Sequence, residues 1–494
     1  MNNIIFKYSK YFNIINLLIN LTFCLFVIYN SEINIILVSL LYLSSSFLIF
    51  FSFNNNTIFF EKFLTLFIWL GYPFKLAIPY IALSFGYEIT PFPENSFLSD
   101  YSKNIYDNAI IFSIFGILGF LLAIFIRKKF IFFYPTDNKI IDSNLKFFYE
   151  KYKFKILIIY FITVIFVNFF NLYFEIYQKG ISSSFKPSFI VYLFKWLLLM
   201  GFTSFACYFV YFELINKKNY KSIFFIFLTE SFLSNVSILS RSFIFNVGIS
   251  LLLLLDEIKK NIKINFLTIV YILFFGIILF ILNISLTTNL RNCLYNYDFD
   301  NDKKKIFLSS NCLNKTQSIY KNTISNTSNK ISSLSFARWV GMDSMIAVMN
   351  KKELLNLNLY YFFLGEKKVL NKDSLYEEIF LNHRNNIEGA NINKIILPGF
   401  ISYQAISGSK FFVFFSCFIL GLVGAFLEKF SYRFSYNNFV LSAFISYTFV
   451  FRIVHFGYLP LNTLLYFFII IFTFLQFRIY ESILDILNKN KITL

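Results

Sequence analysis

Charge is scarce in this chain. Asp, Glu, Lys and Arg together make up 15% of its 494 residues, where soluble domains carry about 25%. That shortage, set against 57% hydrophobic and 22% aromatic residues, excludes an ordinary soluble enzyme. Acids are the scarcer sign, 27 against 45 Lys and Arg, for a formal charge of +18. The excess does not point to nucleic acid, because the basic residues fall between apolar runs and not along one soluble face. It also accompanies Phe, Ile, Asn and Tyr, a set that AT-rich codons encode. Internal repeats are absent. Cysteine occurs five times. Cys24, Cys207 and Cys417 sit in apolar runs and read as packing residues. Cys293 and Cys312 sit in a polar segment, where an oxidising compartment would let them pair, two free thiols being the other reading. The acids Asp298, Asp300 and Asp302 alternate as in a calcium loop, but the glycine and distal glutamate of an EF-hand are missing.

What the sequence has in abundance is apolar runs of about 20 residues, each long enough to cross a hydrocarbon core of about 30 Å. Twelve spans are expected, at residues 12–29, 33–52, 63–83, 107–126, 155–174, 188–212, 222–239, 242–255, 264–285, 410–427, 438–451 and 462–477. Each is expected to be helical, since a backbone in lipid must satisfy its own hydrogen bonds. The fold class is therefore an all-α polytopic integral membrane protein. The first run reads as a span and not as a cleaved leader. The run 222–255 would make one helix of about 51 Å, too long for an ordinary crossing. A hairpin with "SRS" at its tip, holding Arg241, is the better reading.

Lys and Arg in the short loops set the orientation. With the N-terminus inside, the cytoplasmic segments hold Lys7, Lys10, Arg127, Lys128, Lys129, Lys151, Lys153, Lys155, Lys217, Lys218, Lys259, Lys260, Arg433 and Arg478. Both termini are then cytoplasmic. The chain divides into an N-terminal bundle (1–285, about nine spans), one large extracytoplasmic helical loop or lid (286–396) and a C-terminal bundle (397–494, about three spans). The loop begins polar and low in complexity. Order is expected to return at "SFARWVGMDSMIAVM", where Phe336, Trp339, Val340, Ile346 and Met349 recur at helical spacing. That spacing predicts an amphipathic helix lying on the membrane or under a cap. "ELLNLNLYYFFL" is again apolar on one side, and "DSLYEEIFLNHR" opens with a capping box, Ser374 and Glu377. Pro398 and Gly399 break the return to the membrane.

Ionisable groups within spans are functional candidates. Lys75 lies beside the Gly71/Pro73 break, Lys195 near the outer end of its span, Lys410 at the start of one and Arg452 at the close of another. Snorkelling to headgroups is the alternative for such residues. Glu230, Ser234, Ser237 and Arg241 fall on one helix face, either a seam between helices or the wall of an outward cavity. Both histidines, His383 and His455, fall on the outer side, and histidine suits proton transfer near neutral pH. Cations facing the outer leaflet with few acids beside them suit a diphosphate.

The architecture, with "NLYFEIYQKG", "SILSRSFIF", "FARWVGMDSM" and "LPGFISYQAISGS", resembles the O-antigen polymerase group, the repeat-unit polymerases of bacterial polysaccharide synthesis. The resemblance implies a metal-independent, inverting glycosyltransferase of the bacterial inner membrane that needs no cofactor. Its substrates would be undecaprenyl-diphosphate-linked oligosaccharides as donor and acceptor, at the periplasmic face. The lipid bilayer is the other expected partner, and a chain-length regulator protein fits the same setting. Arg241, Arg338, Arg384, Arg452 and Lys75 are the candidate diphosphate-binding residues, and His383, His455 and Glu230 the candidate catalytic ones. The resemblance does not single out the base. A flippase for the same lipid-linked glycan, or an O-antigen ligase, are the competing readings. The long loop and the outward bias of the charges weigh against the flippase. The first outer loop, "NSEIN", is too small for a polyprenyl-phosphate-sugar transferase.

Overall fold

A computed structural model describes residues 2–53, 58–84, 102–130, 144–179, 188–215, 220–240, 266–296, 339–366, 374–381, 398–457 and 460–492. Among these residues the regular structure is helical throughout. Eight stretches are long and apolar enough to cross a membrane, and Phe274–Thr287 and Phe439–His455 are shorter apolar helices. The chain is an all-α, multi-pass membrane protein.

The first half contains α1 (Asn2–Asn30), α2 (Ile35–Ser52), α3 (Phe59–Trp69), α4 (Lys75–Ser84), α5 (Lys103–Phe130), α6 (Asn144–Phe174), α7 (Ser188–Trp196), α8 (Phe202–Ile215), α9 (Tyr220–Ser237) and α10 (Phe266–Asn296). The short helices α11 (Met342–Met349), α12 (Leu357–Leu364) and α13 (Phe400–Ala405) follow, then α14 (Lys410–Phe434), α15 (Phe439–Phe449) and α16 (Pro460–Ile492). Single π-helical turns join α3 to α4 (Leu70–Phe74) and α7 to α8 (Leu197–Gly201), and a third extends α15 (Val450–His455). Such turns interrupt the i→i−4 ladder and recur at functional sites. Pro73, which lacks an N–H, accounts for the first. Tyr42 of α2 donates to the Pro73 carbonyl at 2.9 Å, tying α2 to the break.

The principal seam is α5 against α14. Gly119 lies so close to the Phe414 carbonyl and Cys417 of α14 that a Cβ there would collide, and Gly421 approaches Ala123 in the same way. Small residues let membrane helices approach closely, where dispersion and not water exclusion drives association. Outward faces carry large apolar residues, as expected of surfaces meeting lipid: Ile159, Phe166 and Phe169 on α6, and Phe411, Phe415 and Ile419 on α14.

The expected spans at 12–29, 33–52, 63–83, 107–126, 155–174, 188–212, 410–427 and 462–477 coincide with the eight long apolar stretches. Those at 264–285 and 438–451 overlap the two shorter helices. The run 222–239 corresponds to α9. The span at 242–255 lies outside the described residues, and so does most of the polar loop.

The segment expected to form an amphipathic helix, on the membrane or under a cap, is helical in part and covered. Trp339 and Val340 precede the helix, and α11 is buried almost all round: Met342, Ser344, Met345, Ile346, Ala347, Val348 and Met349 are all in the core. It packs against α5, α4 and α13 as a wedge. The capping box is present: the Ser374 N–H donates to Glu377 at 2.8 Å, and the Glu377 N–H donates back to Ser374 Oγ at 3.3 Å. Gly399 (φ +79°) breaks the chain ahead of α13 in a conformation that glycine adopts at little cost.

Candidate functional site

The bundle has two ends of different chemistry. The first gathers the start of α3 and the ends of α5 and α14. Arg127 is buried there and pairs with Glu61 through both carboxylate oxygens, Nε to Oε1 at 2.7 Å. Glu428 of α14 accepts from the backbone N–H groups of Phe59 and Phe60, at 2.9 and 2.6 Å, and from Ser446 at 2.8 Å. It therefore caps α3, whose own preceding residue, Ile58, offers no side-chain acceptor. Glu481 of α16 caps α6 in the same way, accepting from the N–H groups of Asn144 (2.5 Å) and Leu145 (2.9 Å).

The opposite end collects three of the residues singled out for chemistry, Lys75, Arg452 and His455. Gly71 in the first π turn meets Gly341 at the head of α11. A Cβ on either would overlap the other segment's backbone, so only glycine permits this approach. The contact brings Lys75 within 3.0 Å of Asp343. Burial raises the Asp343 carboxyl above its ordinary value, and the Lys75 charge and hydrogen bond oppose that rise.

On the facing π turn, Arg452 and His455 are both buried, at 8% and 5% exposure. The guanidinium lies 5.2 Å from the Phe451 ring centroid, within cation–π range. The His455 imidazole is boxed by Phe67 (4.9 Å between centroids), Phe456 (4.9 Å), Trp339 (5.8 Å) and Phe451 (6.1 Å). Tyr447 stacks on Phe451, one turn further into the bundle. Gly399 ties α13 to this turn, its N–H donating to the Phe456 carbonyl at 3.1 Å. Two segments that follow the polar stretch, at Trp339 and at Gly399, thus meet on the His455 turn.

The structure therefore brings Lys75, Arg452 and His455 to one end of the bundle. Lys75 arrives with a carboxylate partner, Asp343. That partner was absent from the sequence candidates, although a buried lysine in a span calls for one and Asp343 falls in the ordered stretch of the loop. Glu230 belongs elsewhere. Fully buried on α9, it accepts from Thr203 of α8 (3.2 Å to each oxygen) and from Ser234 (3.0 Å). Ser237 further along donates to the Asn168 carbonyl and accepts from Asn171, at 3.2 and 2.8 Å. The polar stripe of α9 is thus engaged by α8 and α6, the geometry of a seam between helices. Arg241, Arg338, His383 and Arg384 lie outside the described residues, as does Cys312. Cys24, Cys207 and Cys417 are free and buried, in the packing role expected of them.

Fold and site together define a multi-pass α-helical membrane protein with a buried arginine and a buried histidine on one π turn, beneath segments that return from a long polar loop. No protein-family model, curated protein or solved structure matches the chain.

Proposed function

We propose that the protein is a membrane glycosyltransferase that polymerises undecaprenyl-diphosphate-linked oligosaccharide repeat units at the periplasmic face of the bacterial inner membrane. The observation that carries this reading is the burial of both Arg452 and His455 on one π turn, at the end of the bundle where the long polar loop re-enters. Arg452 serves the donor's diphosphate. His455 is near enough in the chain to serve the same reacting centre, and its aromatic box fixes the ring. In the reaction an acceptor hydroxyl oxygen attacks the anomeric carbon of the donor with inversion. The bond from that carbon to the diphosphate oxygen breaks, and its electron pair leaves with undecaprenyl diphosphate. The hydroxyl proton passes to a base, for which His455 and His383 are the candidates. Glu230 is the weaker one, being held between helices. A fixed arginine stabilises the leaving group more as charge develops on it, and so acts on the transition state.

The same reading takes twelve spans, both termini in the cytoplasm and the 286–396 segment outside. It assigns Arg241, Arg338 and Arg384 to the diphosphates of the two lipid carriers, together with Lys75. The Arg127 end, with Lys128 and Lys129 next to Arg127 and Arg433 shortly after Glu428 on α14, fits the cytoplasmic side by its basic residues.

The test is reconstitution. Purified protein in liposomes, given lipid-linked repeat units, is expected to yield a ladder of longer lipid-linked glycans and free undecaprenyl diphosphate, with the same yield after chelation. Transfer only to a different glycolipid acceptor would instead favour a ligase. Movement of the intact substrate across the bilayer without a ladder would favour a flippase.

A further inference from the structure

Helix α12 has the sequence LNLYYFFL, and seven of its eight residues are apolar or aromatic. One arc of it, Leu359, Tyr360 and Phe363, faces the protein. Tyr360 donates to Gln404 at 2.8 Å and packs on Phe412 of α14, and Phe363 packs on Tyr403. The other arc is bare: Tyr361 is 64% and Phe362 61% exposed, flanked by Leu357, Leu364 and the preceding Leu354. Asn358 is the one polar residue on this exposed side, and so much exposed apolar surface calls for an apolar environment there as well.

We infer that this outer arc is an in-plane membrane anchor, seated in the lipid leaflet at the Lys75 end of the bundle. Continuity with the lipid-facing surface names the occupant. The Tyr360–Phe412 contact fixes α12 on the first turn of α14. There Phe411 begins the exposed stripe Phe411, Phe415 and Ile419 of a membrane-crossing helix. The polar groups around α12 stand at headgroup height. Lys352 of the adjoining turn donates to Asn108, in the first turns of α5, at 2.9 Å, and Lys410 opens α14. Tyrosine and phenylalanine on one face with lysines at the rim is the composition of an interfacial helix. The inference rests on the membrane spans and is independent of the proposed activity. It implies that the returning part of the loop is pinned to the leaflet, which holds α11 and Trp339 over the His455 turn.

The experiment uses the full-length protein in bilayers and reads fluorescence added by Phe362→Trp over the parent, with Glu353→Trp as a second probe. For Phe362→Trp, blue-shifted emission is expected, with loss of intensity on lipids brominated near the headgroup end of the chain and little loss with aqueous iodide. Glu353→Trp should show the reverse. Quenching of the Phe362→Trp emission by iodide but not by brominated lipid would place the arc in water and overturn the inference. Protection from both quenchers, or emission that shifts with protein-to-lipid ratio, would show a protein cover such as a second copy, and would overturn it equally.

Discussion

The two ends of the helix bundle are built on different principles. At the Arg127 end, carboxylates from α3, α14 and α16 meet either a cation or the bare N–H groups of a helix start. This is electrostatic fastening: the groups are buried, but each has its complement. At the Lys75 end the backbone is broken by π turns, two glycines touch backbone to backbone, and Arg452 and His455 are set among rings. Ladder interruptions and close backbone contacts cost stability and are kept where geometry matters more. One end fastens the bundle; the other holds the buried Arg452 and His455, which the proposed function makes its reacting residues.

The largest effect on stability is expected from breaking the fastening. Arg127→Met leaves Glu61 buried without its cation, a loss of about 3–5 kcal/mol for such pairs. Thermal unfolding in detergent should show the midpoint fall steeply. The double variant Glu61→Gln/Arg127→Met should recover much of the loss, because it removes both charges together. If the single variant is as stable as the parent, the pair is not a fastening.

A smaller loss is expected where the backbones touch. In Gly71→Ala the new methyl meets the Val340 carbonyl, and overpacking of this kind costs about 1–3 kcal/mol. The more telling readout is local. The thiol of Trp339→Cys should become more accessible to a reagent when Gly71→Ala is added, while the Glu61–Arg127 end stays unaltered. Glu428→Gln should be milder still. The amide keeps one acceptor for α3 but loses its charge at a helix N-terminus, and cap losses run about 0.5–2 kcal/mol. Hydrogen exchange should rise at Phe59 and Phe60 and nowhere at the opposite end. Which end faces outward is open to cysteine labelling: Ser309→Cys and Ser328→Cys are expected to react with an impermeant reagent in intact spheroplasts. Labelling only after lysis would reverse the orientation.

Much of this was legible in the sequence because lipid imposes simple rules. Apolar runs marked the spans, Gly71/Pro73 marked the first π turn, Pro398/Gly399 marked the chain's return, and Ser374–Glu377 marked a cap that exists as drawn. The remainder depended on distance in sequence. Glu61 and Arg127 are separated by 66 positions and Lys75 and Asp343 by many more, and no periodicity pairs such residues. The π turn at Val450–His455 contains neither proline nor glycine, the usual signals of a break, so the burial of both Arg452 and His455 on an interrupted turn could be seen only in the fold. Segment 342–349 is buried more fully than its spacing implies. Its apolar spacing was real, but Ser344 and Ala347 are small enough to be buried on the reverse face as well.

The most direct test of a diphosphate site at the Lys75 end is Arg452→Lys, compared with its parent in the reconstituted polymerisation assay and in thermal unfolding. Lysine keeps the charge and loses the planar fork that matches a diphosphate. Turnover should fall by about 10²–10³, the usual effect of losing one transition-state donor, while the unfolding midpoint stays close to the parent's. Full-rate synthesis of long glycan by a well-folded Arg452→Lys protein would contradict the assignment and leave the arginine as a packing partner of Phe451.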